Sequence, residues 1–199
     1  MKPQVYFNLD LTLTRMETDF QHLVVLTLKR MDTPKDNIEP DLYQELFFER
    51  FNHLQENPRQ KAFREYFAAK EIDRDPRQAA EIYCELELQA TEAQTGLQDL
   101  LRKISQSTPV GIITAGTVGL QRAKIEKLGI GDVLEQILIT YGQQMSKAEI
   151  LQSIGDKRRE SPIYISGSES DIEKASEAGW KTLQKTASQV TPSEVKAAL

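Results

Sequence analysis

Short apolar runs and longer three-to-four-residue repeats divide the chain into segments of different predicted secondary structure. The first run, within residues 5–14, is too short for a helix and ends in polar residues at alternating positions, among them Asn8 and Asp10. This pattern predicts a buried strand that delivers both side chains to one edge of a sheet. Ligands of open α/β sheets bind beyond the carboxyl ends of the strands, so this edge is a candidate site. The alternative is a strand followed by a Thr-rich turn.

A helical period replaces the strand pattern over residues 16–89. Apolar side chains recur there at three- and four-residue steps, as in Phe20, Val24, Leu28 and Met31. Nine of the chain's 14 Phe, Tyr and Trp residues fall between 15 and 91, which indicates an aromatic core separate from the rest. We therefore predict a bundle of about four helices over residues 15–91, inserted into a main domain formed by residues 1–14 and 92–199.

Strands and helices alternate after the insertion. The apolar runs predict strands at 109–113, 137–140 and 162–165, with a weaker one at 181–183 and helical segments between them. Such alternation favours a right-handed, mostly parallel sheet with helices on both faces. The predicted fold class is α/β: a three-layer, Rossmann-like parallel sheet with an inserted all-α helical bundle.

Composition limits the classes of partner and the cellular compartment that we expect for this chain. Residues 15–91 hold 11 Lys and Arg against 16 Asp and Glu, while the other residues hold 14 of each, so the insertion carries the whole net charge of -5. This acidic balance argues against nucleic acid as a partner. No apolar run approaches the roughly 18 residues of a membrane span, and Cys84 is the only cysteine. We expect a cytoplasmic protein without an intrachain disulfide.

Two later stretches place polar groups at the same predicted edge. Thr114 ends the second main-domain strand, and Ala115 and Gly116 lead from it into a helix. Lys147 stands at the first position of another helix, behind Ser146. A cation there opposes the helix dipole by roughly 0.3–1 kcal/mol. Lys147 therefore needs a neighbouring anion.

The fourth stretch follows the strand at 162–165 and contains Ser166, Gly167, Ser168 and Asp171. Asp171 is a candidate site carboxylate. The alternative is structural, because Ser168 and Asp171 have the spacing of a capping box at the start of a helix.

Together these stretches resemble the haloacid dehalogenase-like (HAD) hydrolase superfamily, in particular its phosphatase-like branch with a helical cap. The family pattern is an apolar strand followed by Asp-x-Asp-x-Thr. Asp10 and Thr12 match the second Asp and the Thr, but Asn8 stands where the family has its nucleophilic Asp. The fourth stretch departs as well, since Gly167 stands where phosphatases have a magnesium-binding Asp. It resembles instead the metal-independent dehalogenase branch at Ser166 and Asp171.

The resemblance implies the roles of the site residues. The family's catalytic positions are occupied in this chain by Asn8, Asp10, Thr114 and Lys147. Asp10 stands at the position of the general acid. The substrate phosphoryl group would bind to Thr114, Ala115, Gly116 and Lys147. The family's magnesium would be bound by Asp10 and Asp171. The departures from the family pattern at Asn8 and Gly167 make metal binding doubtful in this chain. The implied ligand is a small phosphorylated molecule or inorganic phosphate.

Three functional hypotheses follow. The first is a HAD-like protein with lost or very weak phosphohydrolase activity that keeps a phosphate-binding pocket, because an amide cannot replace the nucleophilic carboxylate. The second is an active, magnesium-dependent phosphoric monoester hydrolase in which position 8 has been engineered or rewired. The third is a protein-docking module that uses the aromatic cap, which leaves a protein partner or a homodimer open.

Overall fold

The computed structural model describes residues 5–155 and 161–199. The strands are β1 (Val5–Phe7), β2 (Thr14–Met16), β3 (Thr91–Ala93), β4 (Val110–Thr114), β5 (Gln136–Ile139), β6 (Ile163–Ser166) and β7 (Lys181–Gln184). The α-helices are α1 (Phe20–Arg30), α2 (Pro40–Asn52), α3 (Pro58–Ala69), α4 (Pro76–Ala90), α5 (Leu97–Ser105), α6 (Val118–Lys127), α7 (Thr140–Gln143), α8 (Lys147–Gly155), α9 (Glu169–Glu177) and α10 (Pro192–Ala198). No α-helix among these residues is long and apolar enough to cross a membrane.

Five of the strands form one parallel sheet in the order β5-β4-β1-β6-β7. β1 lies in the middle, with Tyr6 paired to Gly111 on one side and to Tyr164 on the other. The carboxyl ends of β1, β4 and β6 are therefore neighbours. Residues that follow these three strands can meet, as the sequence pattern predicts.

Side chains of β1 alternate between two apolar layers. Val5 and Phe7 pack with residues of α5, α6 and α10, whereas Tyr6 packs on the opposite face with residues of α8 and α9. All three are fully buried, and burial of a side chain such as that of Phe7 stabilises a fold by roughly 1.5–3 kcal/mol. The two layers confirm the predicted α/β sheet with helices on both faces.

Residues Met16–Thr91 form a separate compact unit. Its helices α1 to α4 enclose an aromatic core that includes the buried side chains of Tyr43, Phe63 and Tyr83. The guanidinium of Arg59 lies 4.1 Å from the ring centre of Tyr83 and forms an ion pair with Glu87. The predicted helical insertion, with about four helices, is thus present. β2 and β3 pair as a two-stranded sheet at its two ends in the sequence.

Helix ends in the main domain follow local sequence signals, with one exception. Gly129 adopts φ 63° behind α6, the left-handed conformation in which glycine commonly ends a helix. At the start of α8, the Ser146 amide donates to Glu149 at 2.7 Å, and the Glu149 amide donates to Ser146 Oγ at 3.3 Å. Ser168 precedes α9, but its side chain makes no capping hydrogen bond. The capping-box interpretation of Asp171 is therefore wrong.

Candidate functional site

Asn8 lies just beyond β1, with its backbone amide bonded to the carbonyl of Ile165 at 2.9 Å. Both ends of its carboxamide are used. Oδ1 accepts a hydrogen bond from Lys147 Nζ at 3.3 Å, and Nδ2 donates to the backbone carbonyl of Asp10 at 2.9 Å. The side chain is buried. Asn8 is thus fixed with its oxygen towards a cation and its amide hydrogens towards a carbonyl.

Asp171 is the anion that the position of Lys147 at the start of α8 requires. Lys147 Nζ lies 2.7 Å from Asp171 Oδ2, an oxygen that also accepts a hydrogen bond from Ser166 Oγ at 3.2 Å. Burial lowers the pKa of Lys147 because it disfavours the charged amine, while the charge of Asp171 opposes that shift. Asp171 is therefore the partner of Lys147 and not a helix cap.

Asp10 is held by two residues of α6 that our sequence analysis missed. Its Oδ1 lies 2.7 Å from Lys124 Nζ, and its Oδ2 accepts a hydrogen bond from Gln121 Nε2 at 2.7 Å. The side chain of Lys124 is only 1% exposed. A signal was present, because Gln121 and Lys124 share helical spacing with the buried Ile125 and Leu128. Polar residues on the inner face of a helix need polar partners.

Three of the four residues implied to bind a phosphoryl group lie where β4 turns into α6, and the fourth, Lys147, begins α8. Gln121 Nε2 lies 3.4 Å from Thr114 Oγ1 and also donates to the carbonyl of Ala115. The amide of Gly116 donates to Thr140 Oγ1 at 3.1 Å. We call Thr114, Ala115, Gly116 and Lys147 the anion cradle. Its members are all placed at one sheet edge, and internal partners already engage several of its polar groups.

Leu11 and Gly167 form a close backbone contact beside this edge. Leu11 adopts φ 57° and is 62% exposed, a conformation that costs a residue with a Cβ roughly 1–2 kcal/mol. The Gly167 amide donates to Thr12 Oγ1 at 2.9 Å, and a Cβ at Gly167 would lie 2.8 Å from the carbonyl oxygen of Leu11. The loop therefore has no room for an acidic side chain at Gly167.

Replacing Leu11 with glycine is expected to raise the free energy of unfolding by roughly 0.5–1 kcal/mol. Glycine removes the cost of the left-handed backbone conformation. Part of this gain is lost because glycine loses more conformational entropy on folding than leucine does. Urea unfolding followed by circular dichroism measures the change. Leu11→Ala is the matched control, because alanine keeps a Cβ and should not stabilise the protein. Equal stability of the two variants would show that the exposed side chain, and not the backbone strain, sets the effect.

The donor set does not fit a magnesium ion. Mg²⁺ prefers oxygen ligands with carboxylate charge, yet the described residues contain no group of three His, Cys, Asp or Glu side chains able to hold a metal. Asp10 is paired with Lys124, and Asp171 with Lys147. Asn8 also directs its amide hydrogens at the Asp10 carbonyl. The metal-binding role that the resemblance implies for Asp10 and Asp171 is therefore not supported by their contacts.

Comparison with protein families agrees with the motif pattern. The model of the haloacid dehalogenase-like hydrolase family matches residues 5–185, which is most of the chain. The chain belongs to this family. The HAD resemblance of the four stretches is thereby confirmed, and the α/β sheet with its helical insertion is the HAD fold. No curated protein matches the chain.

Solved structures share this fold at low sequence identity. A 2-haloacid dehalogenase from Pseudomonas syringae pv. tomato DC3000 has a TM-score of 0.66 and 17% identity, with 99% of each chain covered. An L-2-haloacid dehalogenase from Xanthobacter autotrophicus, with chloropropionic acid covalently bound, has a TM-score of 0.64 and 13% identity, covering 92% of this chain and 76% of its own. YfnB from Bacillus subtilis, described as a HAD-hydrolase bound to magnesium, has a TM-score of 0.65 and 18% identity, covering 91% and 87%.

These neighbours include both dehalogenases and a magnesium-bound hydrolase. The shared fold therefore does not show which branch of the family this chain resembles more in function. The choice has to come from the chemistry of the site. In this HAD-family chain the decisive position is Asn8.

Proposed function

We propose that this HAD-like hydrolase has lost phosphohydrolase activity, or keeps only a trace of it, and that its anion cradle binds phosphate without a metal. The observation that carries the proposal is the amide at position 8. In the family's phosphatases this position supplies the carboxylate that attacks phosphorus. Asn8 is neutral, and both ends of its side chain are engaged by Lys147 and the Asp10 carbonyl.

The partners of Asp10 support the loss of activity. In the resemblance Asp10 is the general acid, which must donate a proton to the leaving group. Here the carboxylate accepts hydrogen bonds from Gln121 and Lys124. Both carboxylate oxygens are therefore engaged by donors of α6, an arrangement that does not suit an acid that must reach a leaving group.

Phosphate binding is supported by the groups that remain. The cradle joins a hydroxyl, the backbone amides that lead into α6 and the cation of Lys147, and helix starts of this kind attract anions. Asp171 competes for Lys147, because the two already form an ion pair at 2.7 Å. Phosphate must therefore displace or share Asp171, and we expect its affinity to be weak in the wild-type chain.

Calorimetric titration of inorganic phosphate into wild type and three variants tests the proposal. Asp171→Asn should bind phosphate about tenfold more tightly than wild type, because Lys147 loses its competing anion. Lys147→Met in the Asp171→Asn background should cancel that gain, since the cation itself is gone. Lys103→Met, which removes an exposed lysine of α5, is the control for net charge and should leave the affinity unchanged.

An Asp171→Asn variant that binds phosphate no better than wild type would contradict the role of Lys147. Absence of phosphate binding in every variant would contradict the phosphate-binding pocket altogether.

A further inference from the structure

The side-chain amide nitrogen of Gln121 donates hydrogen bonds, whereas its amide oxygen has no donor among the described residues. Its Nε2 lies 2.7 Å from Asp10 Oδ2 and also reaches the carbonyl of Ala115 and the hydroxyl oxygen of Thr114. Its Oε1 is buried, and none of the described residues donates a hydrogen bond to it. A buried acceptor without a donor is unfavourable. Such an exception in a polar cluster points to a group that the chain does not supply.

The orientation of this carboxamide is fixed by its surroundings. Exchange of Oε1 and Nε2 would place the oxygen against the Asp10 carboxylate and the Ala115 carbonyl, both of which are acceptors. Only the amide nitrogen can face them. Oε1 is therefore an obligatory acceptor, and it belongs to the same planar group that touches Thr114 of the anion cradle.

Each of the two carboxylates in the cluster has a lysine partner. Asp10 is paired with Lys124 at 2.7 Å, and Asp171 with Lys147 at 2.7 Å. No excess positive charge remains among these four groups to attract a doubly charged anion. A ligand with one negative charge and its own hydrogen-bond donor meets less repulsion from the two carboxylates than a fully ionised one.

We propose that the anion cradle selects an oxyanion that carries a proton, and that Gln121 is the residue that sets this specificity. The inference rests on the proposed phosphate binding and deepens it. A protonated phosphate or phosphate monoester offers an O–H to Oε1 while its other oxygens accept from Thr114 and Lys147. Sulfate, which has the same shape but no proton at neutral pH, leaves Oε1 unpaired. A site built around such a polar group discriminates against the analogue that lacks the matching donor.

Titrations of phosphate, arsenate and sulfate into wild type and Gln121→Met test this specificity. Wild type is expected to bind phosphate and arsenate, both protonated at neutral pH, at least about tenfold more tightly than sulfate. Methionine has similar length but no amide, so Gln121→Met should bring the three affinities within about threefold. Gln78→Met, an exposed glutamine on α4, is the matched control and should keep the wild-type preference.

Two outcomes overturn the inference alone: equal binding of sulfate and phosphate by wild type, or an unchanged preference in Gln121→Met. If neither wild type nor Asp171→Asn binds any of the three anions, the proposed function fails, and this inference fails with it. Circular dichroism and thermal unfolding confirm that Gln121→Met is folded before its affinities are compared.

Discussion

Purified protein incubated with magnesium and an aryl phosphate is expected to release phosphate no faster than a control without active enzyme. Removal of a catalytic nucleophile can lower the rate by about 10⁶, or about 8 kcal/mol of barrier. Neither the paired Asp10 nor the cradle groups of Thr114 and Lys147 supply a replacement nucleophile. Continuous measurement of phosphate release over hours gives the sensitivity that this prediction needs.

The control for this assay is the intact mass of the protein. Deamidation of Asn8 to Asp would create a small fraction with the family's nucleophile, and a trace of turnover could come from that fraction. Turnover by a sample whose mass shows it to be fully amidated would contradict the loss of activity. It would favour the alternative of a rewired, active hydrolase.

The largest effect on stability is expected from Lys147→Met. The change leaves the buried carboxylate of Asp171 without its cation, which typically costs about 3–5 kcal/mol. A second change, Asp171→Asn, should recover most of that loss because it removes the uncompensated charge. Denaturant unfolding of wild type, both single variants and the double variant gives the coupling energy of the pair.

An exposed ion pair supplies the control. Lys185 and Glu194 also form a contact, but their side chains are 35% and 41% exposed, and exposed pairs contribute about 0–1 kcal/mol. Lys185→Met should therefore change the stability by less than about 1 kcal/mol. Similar losses in Lys147→Met and Lys185→Met would contradict the view that Lys147 and Asp171 form a buried, mutually dependent pair.

Patterns with a short period were sufficient to predict the fold. The alternation at Val5, Tyr6 and Phe7 separates two apolar layers because adjacent strand residues face opposite sides. The position of Gly129 marks the end of α6 because only glycine adopts positive φ at low cost. These signals are local, so a single sequence contains them in full.

The contacts of the site could be predicted only in part. The need of Lys147 for an anion follows from its place at a helix start, but the choice of Asp171 as that anion depends on how α8 and α9 meet. Lys124 and Gln121 were missed because polar side chains are usually exposed, although their helical spacing with Ile125 places them on the inner face of α6. Gly167 reads as a lost carboxylate, whereas the structure shows that the carbonyl of Leu11 leaves no space for one.

The central claim is our proposal that internal ion pairs take the place of a metal at this site. Calorimetric titration of magnesium into protein of verified mass, with and without phosphate, tests it most directly. We predict no magnesium binding at millimolar concentrations and no effect of magnesium on phosphate affinity, because Lys124 and Lys147 already neutralise Asp10 and Asp171. Binding of one magnesium ion per chain that Asp171→Asn abolishes would contradict this account.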